Sequence, residues 1–503
     1  MHDMSDKTAK YRTTFEFFFL CMMIGGFAFS ISANGAVFYA DSVQGDDGLD
    51  GLSEATAWRS LDKVNAAPLK PGDAMLFKRG SVWRGQLDSK SGAPGNPIRY
   101  GAYGKGAKPL FLGSVSRSRP EDWMDDGNGI WRTQGFRGLD VGMFICDHGK
   151  RWGVKKWSKD DLKAELDYWY DPDGDSVYVK LAKNPAEMFR SLELATKGVV
   201  ISHRKRHDVI WESLAVMYSG GFAFAGGEAY RLVVRDCDMG WIGGSLQYWR
   251  EGKDGRRIPV RYGNAVEYWS PAWSNTVERC RIWQVYDAAL TPQSSRSRHP
   301  IHHITFRDNV IWNCEYSLEY WNHDPASYTA DIVFEHNTCV DAGYVWSHGQ
   351  RPNPNGAHVL SYNNEAPCSN IVVRNNIFCR TTDRAVRVFT DWRHGATFEH
   401  NLYWVPENTL YEYKGNDLPY KVRSTNEKER VFGPGAEEFN RYRRTMNMDV
   451  TSRYGEPQFV DEKKRDYRLR PGTLGTDLSS DGGPVGARNV PGLDCGQSTR
   501  PSP

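Results

Sequence analysis

The 503-residue chain lacks an excess of charge of either sign: 64 Lys and Arg face 62 Asp and Glu, a formal net charge of +2. That balance supplies neither the basic field of a nucleic-acid binder nor an acidic tail for a polycation. Lysine is scarce in the middle of the chain, where Lys253 is the only one between Lys205 and Lys414. A lysine base is therefore hard to supply there. No C-x-x-C pair and no H-E-x-x-H occurs, which excludes the familiar zinc and dithiol spacings. Long apolar runs are missing except one near the start, from Phe17 to Phe29.

That one run follows Lys7, Lys10 and Arg12 and precedes Ser32-Ala33-Asn34-Gly35-Ala36, the three-part layout of a secretory signal peptide over residues 1–36. Its thirteen residues are short for a membrane span, so the plainer alternative, an uncleaved anchor, is the weaker reading. The expected location is secreted or periplasmic, with no membrane partner after cleavage. Eight cysteines then remain, among them Cys237 and Cys280, read as stacked thiols in a dry core or as a bridge between turns. Aromatic residues are abundant: 18 Trp and 25 Tyr in a chain of mean hydropathy −0.62. Many Trp in a hydrophilic chain suit stacking platforms for sugars, although packing claims many of them.

From residue 208 to 404 a short phrase recurs, with two or three alternating apolar residues, one or two polar ones and then a small or amide residue. It reads Asp208-Val-Ile-Trp-Glu-Ser213, Leu232-Val-Val-Arg-Asp-Cys237, Asn275-Thr-Val-Glu-Arg-Cys280 and Ile304-Thr-Phe-Arg-Asp-Asn309. It continues as Ile332-Val-Phe-Glu-His-Asn337, Ile371-Val-Val-Arg-Asn-Asn376 and Ala396-Thr-Phe-Glu-His-Asn401. A strand recurring every few tens of residues is the mark of a solenoid, and Asn or Cys in one column predicts an internal ladder. Two spacings exceed the rest, from Cys237 to Cys280 and from Asn337 to Asn376. They predict surplus loops near Arg250 to Arg261 and Ser347 to Asn355, on the face that binds.

This repeat resembles the right-handed parallel β-helix of the pectate lyase and polygalacturonase superfamily, and more narrowly the secreted bacterial β-helix repeat proteins that act on polysaccharides. Further pieces carry the resemblance: Val37-Phe-Tyr-Ala-Asp41 with Gly45-Asp-Asp-Gly48, Leu69-Lys-Pro-Gly-Asp73 with Gly95-Asn-Pro-Ile98, and Pro457-Gln-Phe-Val-Asp461 with Asp466-Tyr-Arg-Leu469. It implies an all-β solenoid with an N-terminal cap and a small β-rich insertion. The expected layout is cap and first turns over 37–118, insertion over 119–200, central helix with the active groove over 201–404, C-terminal turns and cap over 405–490, and a disordered tail over 491–503. The Asn-x-Asp, Asp-Asp and Gly-His-Gly signatures of polygalacturonases are missing, as is the calcium-binding aspartate set of pectate lyases, so pectin does not follow from the fold.

A second column of strands carries the candidate chemistry: Ser245-Leu-Gln-Tyr-Trp249, Ala265-Val-Glu-Tyr-Trp269, Leu290-Thr-Pro292, Ser317-Leu-Glu-Tyr-Trp321, Tyr344-Val-Trp346 and Ala385-Val-Arg-Val-Phe389. Alternation turns Gln247, Glu267, Glu319 and Arg387 outward, with Trp249, Trp269 and Trp321 on the same side. Just before these strands stand Asp287, Glu315, Asp341 and Asp383. Idle surface carboxylates and turn aspartates are the plainer reading of each alone; the repeated Gln/Glu-Tyr-Trp triplet argues for use.

Acidic groups one or two rungs of ~4.8 Å apart fit the paired carboxylates of a glycoside hydrolase. The expected catalytic set is therefore Glu319, Asp287, Glu267 and Asp341. Trp249, Trp269, Trp321, Gln247, His323, Arg387 and His348 are the expected contacts to a polysaccharide or oligosaccharide. A polysaccharide lyase is the alternative, with Arg387 or His323 as base and Arg250, Arg257 or Arg351 neutralising a uronate. A non-catalytic glycan-binding or adhesin protein is the third. No cofactor is required and no transition-metal site is expected. Ca²⁺ is the one metal that the acidic turn Asp46, Asp47 and Asp50 admits, with turn formation the simpler account. The protein is expected to be a monomer.

Overall fold

The computed structural model describes residues 35–294, 298–352, 354–362, 364–389, 395–413, 430–488 and 490. The expected leader, except for its last two residues, the tail after 490 and Cys495 lie outside the described residues. The architecture is a right-handed parallel β-helix. A ten-stranded parallel sheet, from Val82–Arg84 to Arg453–Tyr454, forms one face. An eighteen-stranded sheet wraps the other two, because the long strands Phe222–Arg235 and Val266–Glu278 run through both.

The repeated phrase supplies one strand per coil and the corner after it. At each corner the residue before the ladder position takes a left-handed conformation: Asp236, Arg279, Asp308, His336, Asn375 and His400 have φ between 52° and 59°. One such residue bends the chain sharply, and short polar side chains tolerate it best among non-glycines. The next residue turns inward. Asn309, Asn337, Asn376 and Asn401 are fully buried, and each amide works in two directions. Asn337 Nδ2 donates to the Phe306 carbonyl at 3.0 Å, and its Oδ1 accepts the Asn309 backbone N–H at 3.0 Å. Asn376 repeats the arrangement with Phe334 and Asn337. The ladder closes on Asp449, which accepts from Asn401 Nδ2, Tyr403 Oη, Tyr442 Oη and Ser452 Oγ. Cys237 and Cys280 are buried free thiols rather than a bridge.

The ends of the solenoid are covered. Ser60 caps the helix Leu61–Asn65 by accepting the Lys63 N–H, and Leu61 and Val64 pack with Trp58 into the core. At the other end the helix Ala436–Met446 contributes Phe439, Tyr442 and Met446 to that core. The aspartates of the acidic turn are used by backbone amides: Asp46 by Gly48, Asp47 by Arg59 and Ser60, Asp50 by Leu52. Among the described residues no group of three or more His, Cys, Asp or Glu is arranged to hold a metal ion, and no helix is long and apolar enough to cross a membrane.

Two small sheets interrupt the early coils. One holds Asp167–Asp171, Ser176–Lys180 and Ile130–Gln134; the other holds Val141–Cys146 and Leu192–Thr196. They enclose a separate core around Phe144, Tyr168 and Val179. Their seam with the solenoid is tight at Gly142, where a Cβ would lie 2.6 Å from the Ser245 nitrogen. Two expected solenoid strands are not in the solenoid. Ser245–Glu251 pairs antiparallel with Arg257–Tyr262 as a projecting hairpin. Tyr344 to Trp346 belongs to a loop, and the coil's real strand is Ala357–Ser361. Both displacements arise from the two long spacings, whose surplus residues are spent outside the coil.

Candidate active site

Strand register fixes one outward column on the face that holds these insertions. Ala225, Glu267 and Thr291 are successive partners, and Leu318 lies between Leu290 and Val359, which puts Glu319 next to Thr291. Leu360, Arg387 and Glu412 continue it. Glu267 and Glu319 are thus two rungs apart, roughly 9.6 Å along the axis. A second column, at the corner before these strands, pairs Asp287 with Glu315, because Ala288 pairs with Tyr316. The coil of Asp287 lies between those of Glu267 and Glu319.

A groove of about 820 Å³ opens over these residues. Glu267, Asp287 and Glu319 line it with Asn264, Gln293 and Arg351. Trp269 and Trp321 form its aromatic side, their rings 6.5 Å apart and edge to face. The hairpin provides a wall through Gln247, Tyr248 and Val260, with Tyr248 53% exposed. His323 lies beside Trp321, ring centroids 6.0 Å apart, and Tyr362 closes the far side.

The carboxylates differ in what holds them. Glu267 is 1% exposed; Asn264 Nδ2 donates to its Oε2, and its Oε1 has no partner. Glu319 accepts from Gln293 Nε2 at 2.8 Å. Burial pushes both carboxyls up to about 8, with the Asn264 and Gln293 hydrogen bonds opposing and repulsion among the three acids adding to the rise. Asp287 is also raised by burial, but the Arg351 guanidinium at 2.9 Å opposes the rise directly.

Arg351 is itself fixed. It donates to the Tyr286 carbonyl at 2.6 Å, lies over the Tyr286 ring at 4.5 Å and reaches Glu315 at 3.5 Å. Glu315, fully buried, also meets His348 Nδ1 at 2.9 Å and the Asn355 N–H at 3.1 Å. The chain His348–Glu315–Arg351–Asp287 therefore anchors the least opposed anion in the groove.

Of the residues expected from sequence, the fold brings Glu319, Asp287, Glu267, Trp269, Trp321, Gln247 and His323 into one groove. His348 stands behind it, on Glu315. Asp341 is elsewhere: its strand, Thr338–Ala342, belongs to the ten-stranded face, where it forms a two-pronged pair with Arg380 at 2.7 and 3.2 Å. Register sets it level with Asn313, two positions before Glu315, and so outside the column of Asp287 and Glu315. Trp249 packs on Trp157 of the insertion at 5.2 Å, under Arg257 at 4.9 Å, and lines no part of the groove. Arg387 is buried in a cluster with Glu412 and Asp383, at 2.8 and 3.5 Å. A base bound that way has no reach to a substrate.

Residues that sequence reasoning left out of the site are Asn264, Gln293 and Tyr316, and Arg351 entered only as a uronate neutraliser. The strand at Leu290 lacks the Glu-Tyr-Trp triplet, yet its alternation alone turns Thr291 and Gln293 outward. Arg351 lies in a surplus loop, where the only available signal was that insertions gather on the binding face.

The chain matches no protein-family model. It is 40% identical over 78 residues to lacto-N-biosidase from Bifidobacterium longum subsp. longum; the match covers 14% of this chain and 5% of that protein. Solved structures with a similar chain path include a glycoside hydrolase, at 8% identity and TM-score 0.43, covering 75% of this chain and 95% of that one. Others are the GH136 lacto-N-biosidase from Eubacterium ramulus, at 14% and 0.36 over 75% and 64%, and pectate lyase Pel9A, at 10% and 0.42 over 88% and 91%.

Proposed function

We propose that this protein is a carbohydrate-active enzyme, a glycoside hydrolase whose groove cleaves an oligosaccharide or polysaccharide outside the cell. The observation that carries the reading is the unequal treatment of neighbouring carboxyls. Glu319 keeps its proton up to about pH 8, whereas Asp287 is paired with Arg351. Glu319 is then the acid that protonates the bridging oxygen as the glycosidic bond breaks. Asp287 is the anion facing the positive charge that develops at the anomeric carbon, as nucleophile or as base for a water. Glu267 adds a second protonated carboxyl, buried beside them, with one oxygen that no protein group partners. Trp269 and Trp321 give apolar faces for pyranose rings. The partly matching lacto-N-biosidase from Bifidobacterium longum subsp. longum is a glycan-acting protein by its name, which agrees with the reading over one short segment.

The test is a panel of algal, plant and animal polysaccharides, read for reducing ends and for ultraviolet absorbance of unsaturated products. The expected result is reducing ends without absorbance; absorbance makes the protein a lyase, and neither signal makes it a binder. On the substrate found, Glu319→Gln is expected to cost about 10²–10⁴-fold in kcat. Asp341→Asn is expected to stay within about twofold of native, as ordinary for a residue outside the groove. Near-native activity of Glu319→Gln sinks the assignment.

A further inference from the structure

The groove does not end at Trp269. A second cavity, of about 850 Å³, lies on its N-terminal side and shares Phe222 and Trp269 with it. The outward column explains why space exists there. Ser202 pairs with Ala225 and Ala225 with Glu267, so two rungs with small side chains lead away from the carboxylates. Next to them Gly226 admits no side chain, since a Cβ would lie 2.3 Å from the Arg204 nitrogen. The floor is bare for about two rungs, roughly 10 Å, which is room for about two sugar units beyond Trp269.

The lining of this cavity includes one arginine, Arg204, and one carboxylate, Glu228. Arg204 is exposed and makes no ion pair among the described residues, while the neighbouring carboxylate Glu228 pairs with Lys205 at 3.7 Å instead. Of the arginines that line the catalytic groove, Arg351 is committed to Asp287 and Arg261 to the Gly244 carbonyl. An exposed guanidinium on a residue that lines a cavity is suited to a planar or tetrahedral oxyanion, which it meets with two parallel N–H donors.

We propose that the cavity beside Trp269 is a distal subsite, where Arg204 binds an anionic substituent carried by the glycan about two units from the cleaved bond. The substituent is a carboxylate or a sulfate. The inference rests on reading the acidic groove as the catalytic one. It makes Trp269 a platform shared by both cavities, and it makes the cut bond internal to a chain of several units.

The experiment uses the full protein with Glu319→Gln, so that ligands stay whole, and calorimetric titration with defined oligosaccharides. The ligands are the dimer and tetramer of galacturonic acid, the dimer and tetramer of a sulfated galactan, and xylotetraose as a neutral control. One anionic tetramer is expected to bind about tenfold or more tightly than its own dimer, and which one separates carboxylate from sulfate. Arg204→Gln in the same background is expected to remove that length preference and to flatten the salt dependence of tetramer binding. Circular dichroism and melting of the Arg204→Gln protein check that the fold is intact. Equal tetramer affinity with and without Arg204, or a neutral tetramer that binds as tightly as the charged ones, overturns the subsite. If the native protein still hydrolyses a neutral glycan in that case, the hydrolase reading stands alone. If no glycan binds or is cut, both fall.

Discussion

Three carboxyls in one groove cannot all ionise at neutral pH, and the surrounding residues decide which keeps its charge. Burial raises Glu267 and Glu319 to about 8, and Arg351 favours the anion of Asp287. Activity that needs a protonated Glu319 is therefore expected to fall as pH rises through about 8, and to fall on the acid side as Asp287 gains a proton. Removing the guanidinium with Arg351→Met takes away the charge that lowers Asp287. The acid-side limb should move up while the alkaline limb, set by Glu319, also rises slightly because its opposing cation is lost. A pH–rate profile of kcat/KM on the native and variant proteins checks both limbs; an unmoved acid limb removes Asp287 from the mechanism. The same burial carries a stability cost. Glu267 holds its proton to about 8 in the folded chain against an ordinary 4.5, so between those values the folded state binds more protons and stability falls as pH rises. Glu267→Gln removes the ionisation and is expected to raise stability by about 2–4 kcal/mol at pH 9 and to leave it nearly unchanged at pH 4. Thermal unfolding at the two pH values reads the difference, and a variant less stable than native at pH 9 contradicts the buried-proton account.

At the scale of the element, a coil is held by its strand ladders and by one amide. Asn337 satisfies the Asn309 backbone and side-chain N–H and the Phe306 carbonyl. Asn337→Ala leaves those groups buried without partners and is expected to cost about 3 kcal/mol or more. Chemical denaturation measures this, and a cost below about 1 kcal/mol means water replaces the amide. These ladder positions were legible in the sequence because the amide recurs after the same alternating strand, and the physical need for it repeats at every corner. The column of strands on the binding face was legible only where its coils are uninterrupted. The Ala265–Trp269 and Ser317–Trp321 triplets fall in register as read. Ser245–Trp249 has the same local pattern but begins after Gly243 and Gly244, both at positive φ, which release the chain into a hairpin. Alternation reports that a strand has two faces; it does not report which sheet the strand joins. Ala357–Ser361 escaped notice for the converse reason, since its side chains are all buried and no polar alternation marks it.

At the scale of the whole molecule the solenoid is a floor and the insertions are walls, and Gln350 is one of the side chains that tie the walls together. Gln350 lies in the loop that also carries His348 and Arg351. Its Oε1 accepts the Lys155 backbone N–H of the inserted sheets at 3.2 Å and meets Arg261 of the hairpin's return strand at 3.3 Å. Its Nε2 donates to the Gly153 carbonyl at 3.3 Å. Lys155 adds a buried pair with Asp140 at 2.5 Å, and Asp140 in turn accepts the Leu246 N–H at the foot of the hairpin. None of these contacts touches the three carboxyls, and none is needed by the solenoid's own ladders. Loops set on a rigid scaffold tune binding without altering the scaffold's stability. Gln350→Ala is therefore expected to raise KM about 3–10-fold, with kcat changed less than twofold and the main unfolding transition unmoved, because long side-chain hydrogen bonds of this kind contribute only about 1 kcal/mol each. Steady-state kinetics on an oligosaccharide long enough to reach the hairpin, with melting on the same preparation, separate the two effects. A fall in kcat with unchanged KM means that the loop sets Arg351, and through it Asp287, rather than the walls of the groove.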